Sequence, residues 1–170
     1  MLDEYMNWFE KNQAKLLEDF FTFLRFPSVS TDPAYKKDLL ACKDWLCAYM
    51  ESIGLKAEVW ETSGYPTVFG SYEQGEGPTL LFYGHYDVQP DVPLDEWKSP
   101  PFEPEVRDNV VYARGAIDNK GQGFYTLIGI RAFLEPQEPV RHPRRHPRRV
   151  AGVLHQSPRP DRGSLRGQDP

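Results

Sequence analysis

The chain has 170 residues, of which 39% are hydrophobic, 14% aromatic and 26% charged, with a formal net charge of −5. That mixture fits a globular domain with a real core, and it excludes collagen-like, coiled-coil and wholly disordered chains. No run of about 18 apolar residues is present to span a membrane, the acidic residues 1–10 do not read as a secretory signal, and two cysteines, Cys42 and Cys47, are too few for a disulfide scaffold. A reducing, cytoplasmic setting is the expectation.

Leu2, Met6, Phe9, Leu16, Leu17, Phe20, Phe21 and Leu24 recur at helical spacing and predict an amphipathic helix over residues 3–25, stopped by Pro27. Asp32 before Pro33 reads as the cap of a second helix. Its stripe Leu39, Cys42, Leu46, Met50 and Ile53 runs to Gly54, a left-handed stop. Strands are predicted over 55–60 and 67–72. Residues 79–83, Thr-Leu-Leu-Phe-Tyr, form a continuous apolar run that predicts a central strand buried on both faces. A Pro-rich irregular stretch, 90–104, precedes a tight hairpin in which residues 105–107 and 110–112 flank Asp108-Asn109. A polar loop over 113–120 and a helix over 121–134 complete an α/β arrangement with a mixed, partly parallel sheet.

The net charge hides a break. Residues 1–135 carry 12 basic against 22 acidic side chains, a net of −10, whereas residues 136–170 carry eight Arg against three acids, a net of +5. All aromatic residues and all eight Lys precede Pro136, and seven of the 16 Pro follow Glu135. The division is therefore drawn at 1–135, a folded part, and 136–170, a Pro/Arg-rich tail expected to be disordered. Three readings compete for the tail: a basic arm for nucleic acid built on residues 141–149, a plain linker, or a segment read out of frame. The switch from Lys to Arg with added Pro and His favours the shifted frame, and nucleic acid is the less favoured partner.

Chemistry gathers in two loops. Gly84-His-Tyr-Asp87 is expected just past the end of the strand over 79–83, the place where α/β sheets bind ligands. A turn after Gly84 is expected to bring His85 and Asp87 together, with the imidazole a metal donor and Asp87 the carboxylate that takes its second N–H. The plain alternative is a surface His beside a turn Asp. Asp118, in Arg114-Gly-Ala-Ile-Asp-Asn-Lys-Gly121, has oxygens for two cations. Its plain alternative is a helix cap by Asp118 or Asn119.

With Trp97-Lys-Ser-Pro-Pro-Phe-Glu-Pro104 between them, these motifs closely resemble the zinc-dependent metallopeptidases of the aminoacylase, carboxypeptidase and carnosine-dipeptidase type, nearest the dipeptidase branch and over most of residues 3–135. The resemblance implies two zinc ions, with cobalt or manganese tolerated. It makes His85 a ligand of one ion, Asp118 the bridge between both, and Asp87 the residue that orients His85. A cis bond is expected at Asp118–Asn119, and the implied reaction is metal-assisted hydrolysis of an amide in a small peptide or N-acyl amino acid. Ile117 stands where a smaller or polar residue is expected, and Asp108-Asn109 where Asp-Gly is commoner.

The resemblance also calls for a Glu-Glu pair after the helix over 121–134, one Glu a general base and the other a ligand. No Glu-Glu follows Glu105 in this chain, and His142, His146 and His155 lie in an Arg-rich context unsuited to a dication. The expectation is an incomplete catalytic domain, inactive by itself and binding zinc weakly, with the strand over 79–83 left short of a neighbour. The alternatives are a non-catalytic module with a nucleic-acid arm, and half of a split enzyme completed by another chain. Oligomeric state is not legible.

Overall fold

The computed structural model describes residues 2–74, 77–135 and 149–155 of the chain. Helix α1 (Leu2–Arg25) is followed by a 3₁₀ turn (Pro33–Tyr35), helix α2 (Lys36–Ser52), strands β1 (Lys56–Trp60), β2 (Thr67–Glu73) and β3 (Thr79–His85), a second 3₁₀ turn (Leu94–Glu96), strands β4 (Glu105–Arg107) and β5 (Val110–Tyr112), helix α3 (Lys120–Leu134) and strand β6 (Arg149–His155). The Asp32 carboxylate accepts from the Ala34 amide at 2.9 Å, so it caps the 3₁₀ turn that leads into α2. Gly54, at φ 91°, ends the α2 segment as its position predicts. In the β4–β5 hairpin Asp108 and Asn109 both adopt positive φ, 51° and 61°, the pair of left-handed residues that matches the twist of a two-residue hairpin.

The main sheet has the order β1-β2-β6-β3. β1 and β2 pair antiparallel, β2 and β6 antiparallel, and β3 and β6 parallel, which makes the sheet mixed. Two expectations are corrected here. The tail is not wholly disordered, because Arg149–His155 forms a strand between β2 and β3, and the chain itself thereby supplies β3 with a neighbour. Residues 150–154, Val-Ala-Gly-Val-Leu, are uncharged, include two β-branched valines and are free of Pro. Averaging over 35 residues of Pro and Arg concealed them. Residues 136–148 and 156–170, with most of the basic block and with His142 and His146, lie outside the described residues.

The second correction concerns β3, which among the described residues is an edge strand rather than a central one. Leu81 is 63% and Tyr83 67% exposed. The apolar run reported a strand correctly, but burial on both faces requires layers on both sides, and among the described residues the helices cover one side. Helices α2 and α3 pack on that side. There Phe23, Leu39, Leu46, Met50, Phe124 and Leu127 join Val68 of β2 and Val150 and Leu154 of β6 in one core. A sulfur of Met50 presses so close to Gly70 in β2 that a Cβ there would lie 2.8 Å from it. The rings of Phe20 and Phe124 stack at 5.4 Å, and Trp45 stacks between Phe23 and Tyr49, which fastens α1, α2 and α3 together.

Glu135, unassigned by sequence, ties the helices at their far end: its carboxylate accepts from the Trp8 indole at 2.7 Å and from Arg131 Nε at 2.6 Å. Cys42 is buried and Cys47 half-buried, both as free thiols. No described helix is long and apolar enough to cross a membrane. Because Leu154 is buried in the core, Leu154→Ala is expected to cost about 2–5 kcal/mol of stability in urea unfolding. An unchanged midpoint would show that β6 contributes nothing.

Candidate metal centre

His85 is the last residue of β3, and no turn is needed to join it to Asp87. Residues two apart in extended backbone share a face. Tyr86 between them points the other way, fully buried, with its hydroxyl donating to the Pro66 carbonyl at 2.6 Å. His85 Nδ1 lies 3.0 Å from the Asp87 carboxylate and 3.0 Å from the Asp87 carbonyl oxygen. Asp87 is itself buried, and its other carboxylate oxygen accepts from the Ser30 hydroxyl at 2.6 Å. Two acceptors at Nδ1 favour the tautomer with the ring hydrogen there and the lone pair on Nε2.

That lone pair looks at Asp118. His85 Nε2 is 3.1 Å from Asp118 Oδ1, and the Asp118 side chain is 74% exposed on its outer side. Two acceptors facing each other at this distance repel unless a proton or a metal cation lies between them. Two donors bound tetrahedrally to zinc at 2.0–2.2 Å stand about 3.4 Å apart, so the pair fits a shared cation with a small adjustment. Among the described residues no group of three His, Cys, Asp or Glu side chains is placed to hold a metal, and His85 and Asp118 are the pair of candidate donors that face each other. The donor set, an imidazole and a carboxylate, suits zinc and equally cobalt or manganese.

The Asp118 loop is held against β3 by residues that sequence reasoning missed. The Asp118–Asn119 peptide is cis, as the family resemblance implies. Asn119 sits at the start of α3 without capping it; its carboxamide oxygen turns back to accept from the His85 amide at 3.2 Å. Gly84 makes room, since a Cβ there would stand 2.7 Å from that oxygen. The plain reading of Asn119 as a helix cap is therefore displaced. Gly115, at φ 82°, brings the loop against Val88, and Gly121 lies where a Cβ would be 2.0 Å from the Ala116 carbonyl oxygen.

Lys120 is fully buried, and its ammonium donates to the carbonyls of Phe23 at 2.9 Å and Phe26 at 2.7 Å. Burial pulls this lysine below its ordinary pKa, with Cys42 and Asp87 opposing. Only the local spacing of a helix start could have drawn notice to it. A cleft of about 340 Å³, lined by Gln89, Trp97, Arg114 and Ile117 among others, opens beside Asp118. Arg114 lies over the Trp97 ring at 4.9 Å and its amide bonds the Pro101 carbonyl at 2.7 Å, so the Pro-rich stretch folds onto the same wall. Ile117, the departure noted in sequence, is an exposed side chain of this wall.

Residues 81–143 match the model of peptidase family M20/M25/M40. Succinyl-diaminopimelate desuccinylase of Dechloromonas aromatica (strain RCB) is 36% identical over 100 residues, 58% of this chain and 26% of that protein. An M20 family metallo-carboxypeptidase from Sulfolobus solfataricus superimposes with a TM-score of 0.71 at 33% identity, covering 82% of this chain and 30% of that one. Human carnosine dipeptidase 1 gives a TM-score of 0.73 at 21% identity, over 91% and 34%. The chain thus spans about a quarter to a third of the length of these proteins.

Gly121→Ala is expected to force the 113–120 loop open, at about 1–3 kcal/mol in thermal or urea unfolding, the usual cost of overpacking. Equal stability would mean that the close approach to Ala116 is not needed.

Proposed function

We propose that the chain, which resembles peptidase family M20/M25/M40 over part of that fold, carries the first half of a two-cation centre for amide hydrolysis. One observation carries this reading: His85 Nε2 and Asp118 Oδ1 face each other at 3.1 Å with the far side of the ring occupied by Asp87. His85 would hold one ion and Asp118 would bridge two. When bound, the ions supply Lewis-acid polarisation of the scissile carbonyl and a nucleophile at neutral pH.

The rest falls to the chain's own residues. Asp87 takes the Nδ1 hydrogen and so fixes the tautomer and the orientation of the ring. Asn119 holds the loop to the His85 amide, which sets where the Asp118 carboxylate stands. The open cleft beside Asp118 offers room for a small peptide or an N-acyl amino acid. Family relatives act on such bonds by name, as dipeptidase, carboxypeptidase and desuccinylase.

The chain by itself is proposed to bind zinc weakly and to leave amide bonds uncut. A catalytic zinc takes three protein ligands and a water, and the residues assigned here give two. The Glu-Glu pair that would supply a general base, typically worth about 10²–10⁴-fold in rate, does not follow Glu105 in this sequence. Zinc titration of the full chain by calorimetry tests this. Weak binding is expected, reduced at least about tenfold by His85→Ala or Asp118→Asn, and about 10–100-fold by Asp87→Asn. Tight binding of two ions would overturn the weakness, and identical affinity in Asp118→Asn would overturn the site.

The exposed apolar side chains of edge strand β3 favour a second reading, completion of the sheet by another chain that brings the remaining ligands. Leu81→Lys is then expected to raise the soluble fraction of the isolated chain and to abolish co-purification with such a partner. No change in either measurement would remove this reading.

A further inference from the structure

The two loops of the site do not touch only each other. Behind them runs a second connection made of buried polar groups, through the segment that follows α1. Lys120 begins α3, directly after Asp118-Asn119, and its ammonium grips the carbonyls of Phe23 and Phe26 where α1 ends. Carbonyls in the last turn of a helix have no partner within it, so a cation is well placed there. The chain then turns tightly, with the Ser28 amide bonding the Phe26 carbonyl and the Val29 amide the Pro27 carbonyl, both at 2.8 Å.

From that turn three hydrogen bonds reach the other loop. The Ser28 carbonyl accepts from the Val88 amide at 3.0 Å, the Ser28 hydroxyl donates to the Tyr86 carbonyl at 2.7 Å, and the Ser30 hydroxyl donates to the Asp87 carboxylate at 2.6 Å. Val29 and Val88 form a parallel bridge at the same place. Ser28, Ser30, Asp87 and Lys120 are the buried polar or charged residues of the described chain, and all four belong to this one connection. A buried ammonium and a buried carboxylate are costly to desolvate. Apolar packing could have joined these segments without that cost, but it would not fix the rotation of a carboxylate or the height of a loop.

We propose that Lys120 and Ser30 are positioning residues, the two ends of a buried clamp that sets His85 and Asp118 at the separation a shared cation requires. Neither touches the cation. Lys120 fixes the Asp118 loop to the end of α1, and Ser30 fixes the carboxylate that orients the His85 ring. The inference rests on the metal reading given above for its purpose, though not for its geometry.

The test uses the full chain at pH 8 with two readouts. The first is the ring ¹⁵N signature of His85 without metal, expected to show a single Nδ1–H tautomer. The second is zinc affinity, normalised to the folded fraction. Lys120→Met is expected to lower affinity at least tenfold and to mix the two tautomers, and Ser30→Ala to act in the same direction. Should Lys120→Met fail to fold, Ser30→Ala, which leaves the helix ends untouched, decides alone. Unchanged tautomer and affinity in a folded variant of either residue would overturn the clamp. Absence of zinc binding in the unsubstituted chain would instead overturn the metal reading, and the tautomer readout would still judge the clamp.

Discussion

His85 stands between two carboxylates, one on each ring nitrogen, and the packing around it keeps that arrangement in place. Asp87 is buried and hydrogen-bonded on its far side, so it can neither rotate away nor trade its partner for water. Asp118 is exposed and is held instead by its backbone, through Asn119 in front and Lys120 behind. The difference is chemically sensible. A carboxylate that orients an imidazole does best in a shielded place, and one that receives cations must be reachable.

Much of this was legible because the chemistry is local. His85 and Asp87 stand two apart in sequence, the hairpin turn is written in Asp108-Asn109, and α1 declares itself by its apolar stripe. The site joins two loops 33 positions apart, and that joining came from a family resemblance and not from periodicity. Ser30, Lys120 and the bond from the His85 amide to Asn119 were missed for a common reason. Each acts through a single hydrogen-bonding atom on a residue type that also fills turns and helix starts, so nothing in composition or spacing marks it.

The two errors about the sheet have one origin. Burial was inferred for residues 79–83 from an unbroken apolar run, and disorder for the tail from its average composition. In fact a five-residue apolar core in a Pro/Arg-rich neighbourhood became the inner strand β6, and the run of better-looking residues became the edge. Strand order depends on which segments have two partners, and that is a property of the whole chain. Hydrophobicity of one window does not contain it.

The position of β6 also governs the sequence of events by which the sheet comes into being. The β1–β2 ribbon pairs neighbouring residues, and among the described residues its sheet reaches β3 by way of residues 149–155. On a ribosome, the strand carrying His85 therefore emerges well before the piece that binds it to its sheet. In the folded chain its other partners, α3 and the segment after α1, come from residues ahead of 149. The end of the molecule that carries His85 and Asp118 is therefore joined to the ribbon only by closing a loop of more than sixty residues, which carries an entropic cost.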